Sequence, residues 1–126
     1  MRKFKKVIAG IIATASIMTC MALPASAETI SIKRGDAGSQ ANIIGAKQVY
    51  YRAECSSSSG SSADFRLAYS VGSNLYTVHS FSLDPGDSYE NMTSVFDTGK
   101  MWMYSVFAPN NKLNAVASGT ILGTVY

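Results

Sequence analysis

The chain has 126 residues, with 11 Lys and Arg against 8 Asp and Glu, and 47% of it is hydrophobic. The positive excess sits at the start: without Arg2, Lys3, Lys5 and Lys6, seven basic residues face eight acidic ones, a net charge of −1. No clustered basic surface remains to displace counterions from nucleic acid, and no amphipathic helix marks a membrane surface.

The first element in chain order is a targeting segment. A basic start is followed by a charge-free, mostly apolar run from Val7 to Leu23, then by PASAE with small residues at Ala25 and Ala27. This is the layout of a secretory signal peptide, with the cut expected after Ala27. Its Lys-rich start and ALPASA ending resemble Gram-positive export signals, so an exported, extracellular protein is expected. An uncleaved anchor and lipidation at Cys20 are the alternatives. The apolar run is short for a membrane span, which needs about 20 residues, and Thr19 is larger than the residue expected before a lipidated cysteine. Residues 28–126 then form one domain of 99 residues with a single cysteine, Cys55. That excludes an intrachain disulfide and the disulfide-dense secreted scaffolds.

Short alternating runs follow, broken by turn residues. In 29–33 Ile30 and Ile32 share a face. In 49–55 Val49, Tyr51, Ala53 and Cys55 do so, and in 64–71 Phe65, Leu67, Tyr69 and Val71. Period two is strand geometry. Residues 36–48 hold either a strand around Ile43 and Ile44 or a long loop. The serine run between Cys55 and Asp64 reads as a mobile loop joining two strands, within a hairpin or between sheets. In 75–83 the apolar phase changes midway, which a bulge explains. Residues 89–96 are a weak strand with room for a helical turn.

Residues 100–107 are apolar on both faces and read as a central strand, with Trp102, Tyr104 and Val106 the preferred inward set. The last strand, 114–126, contains Gly119 and Gly123, which signal a bend or close backbone approach. Turns at 34–38, 71–74, 84–87, 97–100 and 109–112 carry Gly, Pro, Asn and Asp where turn geometry requires them. The expected fold is therefore all-β: a small antiparallel β-sandwich, Ig-like or jelly-roll-like, of about 6–8 strands. A barrel is the alternative.

The chemistry-bearing residues are few. Cys55 and His79, one of each after export, are the obvious nucleophile–base pair; Cys55 lies in phase with buried positions, so a small apolar role is expected of it. No G-x-S-x-G elbow occurs. Asp84, Asp87 and Glu90 are weak calcium candidates, but the DPGD turn accounts for the first two. No cofactor is expected. Arg34-Gly35-Asp36 is an adhesion tripeptide in a turn, and Asn91-Met92-Thr93 a formal glycosylation sequon. Tyr50, Tyr76, Trp102 and Tyr104 are the candidate ligand-binding aromatics, provided they share an exposed sheet face.

A small secreted, non-enzymatic binding module is expected, recognising a carbohydrate or protein ligand through an aromatic sheet face or loops. No nucleic acid, and no membrane after signal cleavage, is expected as a partner. The alternative is a released antimicrobial or host-directed effector acting by contact. A hydrolase is disfavoured because the acid–base inventory is thin.

Overall fold

In a computed structural model the described residues are 26–111 and 113–124. The expected export signal lies outside them up to residue 25. The expected cut after Ala27 falls within the first described strand.

Eight strands form: β1 (Ser26–Ile32), β2 (Gly38–Ala46), β3 (Gln48–Cys55), β4 (Ala63–Val71), β5 (Asn74–Leu83), β6 (Ser88–Met92), β7 (Lys100–Phe107) and β8 (Ala117–Thr124). They pair antiparallel into two sheets, β1-β8-β3-β6 and β2-β7-β4-β5. Every connection crosses between the sheets except the β4–β5 hairpin. That order is the jelly roll; the sheets stay separate, so the barrel alternative does not form. The ambiguous 36–48 segment is strand β2, with a bulge at Gly45. Residues 89–96 hold no helical turn: the strand ends at Met92 and the chain continues irregularly. Among the described residues no helix is long and apolar enough to cross a membrane.

Strand alternation places most of the core as the sequence implies; Val71, in phase with Phe65 and Leu67, instead lies at the β4–β5 hairpin and is 47% exposed. Ile30 and Ile32, Val49, Tyr51, Ala53 and Cys55, Phe65 and Leu67, and Trp102, Tyr104 and Val106 are buried between the sheets. The phase change in β5 is a bulge: Leu67 pairs with His79 but Ala68 with Thr77, leaving Val78 extra. It turns His79 and Phe81 towards the core while Thr77 and Val78 face out.

Two polar core side chains are satisfied by backbone. The Trp102 indole donates to the Ala46 carbonyl at 2.8 Å. The Tyr104 hydroxyl donates across the sandwich to the Arg52 carbonyl at 2.9 Å. The two glycines of β8 make this closeness possible. A Cβ on Gly119 would stand 2.9 Å from both the Arg52 carbonyl oxygen and the Tyr104 ring, and one on Gly123 would stand 2.8 Å from Ala46 and Ile43. Real Cβ atoms do not approach so closely, so β8 meets the opposite sheet only as glycine.

Burial pushes the Tyr51 hydroxyl from 10.0 up to about 12, with Tyr89 adding to it. Tyr104 is raised further, by burial first and then by Tyr51. A raised folded-state value means that the native protein keeps protons the unfolded chain releases. The associated stability is intact below pH ~10 and is lost as pH rises beyond it. Chemical denaturation between pH ~10 and ~12 will show stability falling, by at most about 1.4 kcal/mol per pH unit for each of the two tyrosines and by less at the ends of the window. Tyr51→Phe removes one such share of the slope, and an unchanged slope contradicts the assignment.

Candidate functional site

The expected aromatic platform does not assemble. Trp102 and Tyr104 are fully buried, because period two points them into the core and their polar atoms find backbone partners there. Tyr50 faces the other way from Tyr51, as its phase implies. It is also buried, against Leu122, and its hydroxyl donates to Glu90 at 2.6 Å. Of the four candidates only Tyr76 is open, at 46% exposure, and it stacks on Tyr69 with ring centroids 5.4 Å apart. A ring with no accessible face offers nothing for a sugar or a side chain to stack on.

Cys55 and His79 are likewise not brought together. The buried Cys55 thiol donates to the Ser61 carbonyl at 3.6 Å. The His79 ring shares a hydrogen bond of 3.1 Å with the Tyr51 hydroxyl, four positions back along β3 and so about 13 Å away. His79 belongs to an aromatic cluster with Tyr51, Phe81 and Tyr89 that fills the flank between edge strands β5 and β6. The signal for this cluster was the β5 bulge, which brings His79 and Phe81 inward together.

Asp84 and Asp87 form the expected turn, with the Asp87 amide donating to the Asp84 carbonyl at 2.9 Å. Glu90 is turned to Tyr50. Among the described residues no three His, Cys, Asp or Glu side chains converge as a metal site. Arg34-Gly35-Asp36 is an exposed turn whose Asp36 carboxylate accepts the Lys33 amide at 3.1 Å, which is the capping role turns give aspartate.

Two surfaces remain after these are placed. The first is the outer face of the β2-β7-β4-β5 sheet. Register sets Ile44, Met101, Ser70 and Leu75 in one row across four strands, with Asn42, Met103, Ala68 and Thr77 in the next. Ile44 is 77% exposed, Leu75 45%, Val78 40% and Met101 38%. Beyond these rows lie Gln40, Ser105, Arg66 and Ser80. The Arg66 Nε there is shielded from solvent and has no acceptor among the described residues.

The second is a cleft of ≈ 870 Å³ where β1, β3 and β8 end, opposite the Ser26–Thr124 end of their sheet. Four chain segments distant in sequence build it: the end of β1 with the turn after it, the end of β3 with the start of the serine run, the DPGD turn and the start of β8. The serine run is a loop between sheets, but a pinned one. Ser59 is buried, accepts the Val116 amide at 2.8 Å and donates to the Ser61 carbonyl at 2.6 Å. The Gly60 amide donates to Asn114 at 2.9 Å. The expectation of a mobile loop is therefore corrected: its anchors lie more than fifty residues away and leave no local sequence signal.

Cys55 sits beneath this pinned loop, so it will react slowly with a thiol reagent in the folded protein and rapidly after denaturation. Ser59→Ala strands the Val116 amide, costs about 1–3 kcal/mol, and will speed labelling of the folded state. Equal labelling rates in the folded and denatured protein contradict the burial.

No family model matches the sequence, and no curated protein sequence matches it. Among solved structures, PirA aligns with a TM-score of 0.45 at 7% identity, covering 78% of this chain and 93% of that one. The Yersinia pseudotuberculosis-derived mitogen aligns with a TM-score of 0.45 at 15% identity, over 81% and 87% of the two chains. A structure of Bacillus endospore appendages, described as a family of disulfide-linked pili, gives 0.43 at 16% identity over 80% and 85%. Scores and identities at this level transfer no role to this chain.

Proposed function

We propose that this chain is an exported, non-catalytic binding module that docks a protein partner on the outer face of the β2-β7-β4-β5 sheet. The observation that carries this reading is the concentration of exposed apolar side chains there. Isolated surface hydrophobes are ordinary, but here Ile44 and Met101 are cross-strand neighbours, Leu75 lies in the same row beyond Ser70, and Val78 is on the same outer strand, all exposed on one sheet face. Contiguous apolar area rimmed by polar groups is the usual mark of a protein contact. The polar margin here is formed by Gln40, Arg66 and Ser80, with Ser105 of the same row buried. A partner with an apolar centre and an acceptor placed for Arg66 fits this face. Binding at an apolar centre with an arginine at its margin is a recurrent way to concentrate affinity in a few side chains.

Contact rather than catalysis also accords with how the reactive groups are spent. Cys55 is directed at a backbone carbonyl beneath a loop, and His79 is held in an aromatic cluster. Neither meets substrate-sized space alongside the other.

A photo-crosslinking side chain at Ile44, presented to the medium and surfaces around the producing cell, will give a discrete adduct with another protein. The same group at the outward-facing Thr29 of β1 will not. Leu75→Lys combined with Met101→Lys will abolish the Ile44 adduct while leaving stability within about 0.5 kcal/mol, as surface changes do. Equal labelling from both positions, no adduct, or an adduct that survives the double substitution overturns the reading. An adduct with a second copy of this chain replaces it by self-association.

A further inference from the structure

We infer that the cleft at the end of the β1-β8-β3-β6 sheet is a second binding site, on the sheet opposite the docking face, and that it takes a neutral polyhydroxylated ligand of oligosaccharide type. The inference starts from register. Ser31 pairs with Ser118, and Ser118 with Glu54, across three adjacent strands. All three line the cleft, and all three lie on the outward phase of their strands, since Ile32, Cys55 and Ala117 between them are core residues. Neighbouring strands stand about 4.8 Å apart, so the row presents two hydroxyls and a carboxylate at the spacing of hydroxyl groups across a sugar ring.

The next outward row repeats the chemistry. Thr29 pairs with Thr120, and Thr120 with Arg52. Two hydroxyl-bearing rows, one at the cleft and one leading away from it, give a linear ligand of several sugar units successive donors and acceptors. The outer face of the other sheet carries Ile44, Met101 and Leu75 in one of its rows, whereas both rows nearest the cleft are polar throughout.

Charge selects the ligand class. The cleft contains one cation, Lys33, and two carboxylates, Asp36 and Glu54. The Glu54 carboxylate is met by Arg52 at 3.1 Å, and that of Asp36 by the Lys33 amide. Such a near-balanced site gives no net attraction to a phosphate or a uronate, whereas Ser, carboxylate and ammonium groups together serve the mixed donors and acceptors of a neutral sugar. The volume of ≈ 870 Å³ lies within the range of small-ligand sites. Pro85 and Val116 supply apolar walls; with no aromatic ring among the lining residues, affinity in the millimolar range is expected.

The test is amide chemical-shift mapping of the purified protein with cellotetraose, maltotetraose and chitotetraose, and with tetragalacturonate as the charged comparator. At least one neutral tetrasaccharide will move the amides of Ser31–Lys33, Ser56–Ser57 and Val116–Ser118 saturably, and tetragalacturonate will not. Ser118→Leu, and separately Ser31→Leu at an exposed position that cannot disturb the core, will weaken that binding about tenfold. The inference is overturned if no neutral saccharide moves these amides, if tetragalacturonate moves them equally, or if the binding is unchanged in a folded Ser31→Leu protein. None of these outcomes bears on the docking face, which lies on the other sheet.

Discussion

One hydrogen bond joins the central strands of the two sheets. The Tyr104 hydroxyl of β7 reaches the Arg52 carbonyl of β3 at 2.9 Å. A tyrosine in an apolar interior must bury its hydroxyl with a partner or lose about 1–3 kcal/mol. Here the partner belongs to the facing sheet, so satisfying the group also fixes the distance between layers. The path is open only because Gly119 has no side chain to meet the Tyr104 ring or the carbonyl it seeks. Around this contact Tyr51 and Phe65 lie against Tyr104 with centroids 5.8 and 6.2 Å apart, which makes the aromatic content of the chain chiefly interior.

That arrangement determines which surfaces are left for function. Because Trp102, Tyr104 and Phe65 fill the space between sheets, the outer faces are furnished by the alternate residues of the same strands. On β7 these are Met101, Met103, Ser105 and Phe107; on β8 they are Ser118 and Thr120. The two faces consequently differ in chemistry, one apolar at its Ile44 end and the other rich in hydroxyls near the cleft. The two proposed sites therefore lie on opposite sheets, so a ligand at one would leave the other open.

The alternation in 49–55 and 64–71 was legible because a strand with unlike faces shows period two, and 100–107 was legible as a central strand because it is apolar on both faces. The β5 bulge and the close approach of Gly119 were legible for the same reason: each breaks a local pattern. The candidate platform was not, although Trp102 and Tyr104 already had the phase of inward residues, because aromaticity alone does not say which side of a strand meets solvent. The proposed docking face escaped notice since Ile44, Met101 and Leu75 fall in one row only through register across three strand pairings. The cleft and the pinning of the serine loop depend on contacts between Ser59, Gly60 and the 114–116 segment, a separation that composition and spacing do not encode.

The account rests on Tyr104 and Gly119 acting as one unit, and a double-mutant cycle in chemical denaturation measures that directly. Gly119→Ala introduces a methyl against the Tyr104 ring, a steric conflict of about 1–3 kcal/mol. With Tyr104→Phe already present the ring is no longer tethered to Arg52 and can yield. The account predicts that Gly119→Ala is less destabilising in that background, by about 1 kcal/mol or more. Strictly additive effects of the two substitutions, within about 0.5 kcal/mol, would contradict it.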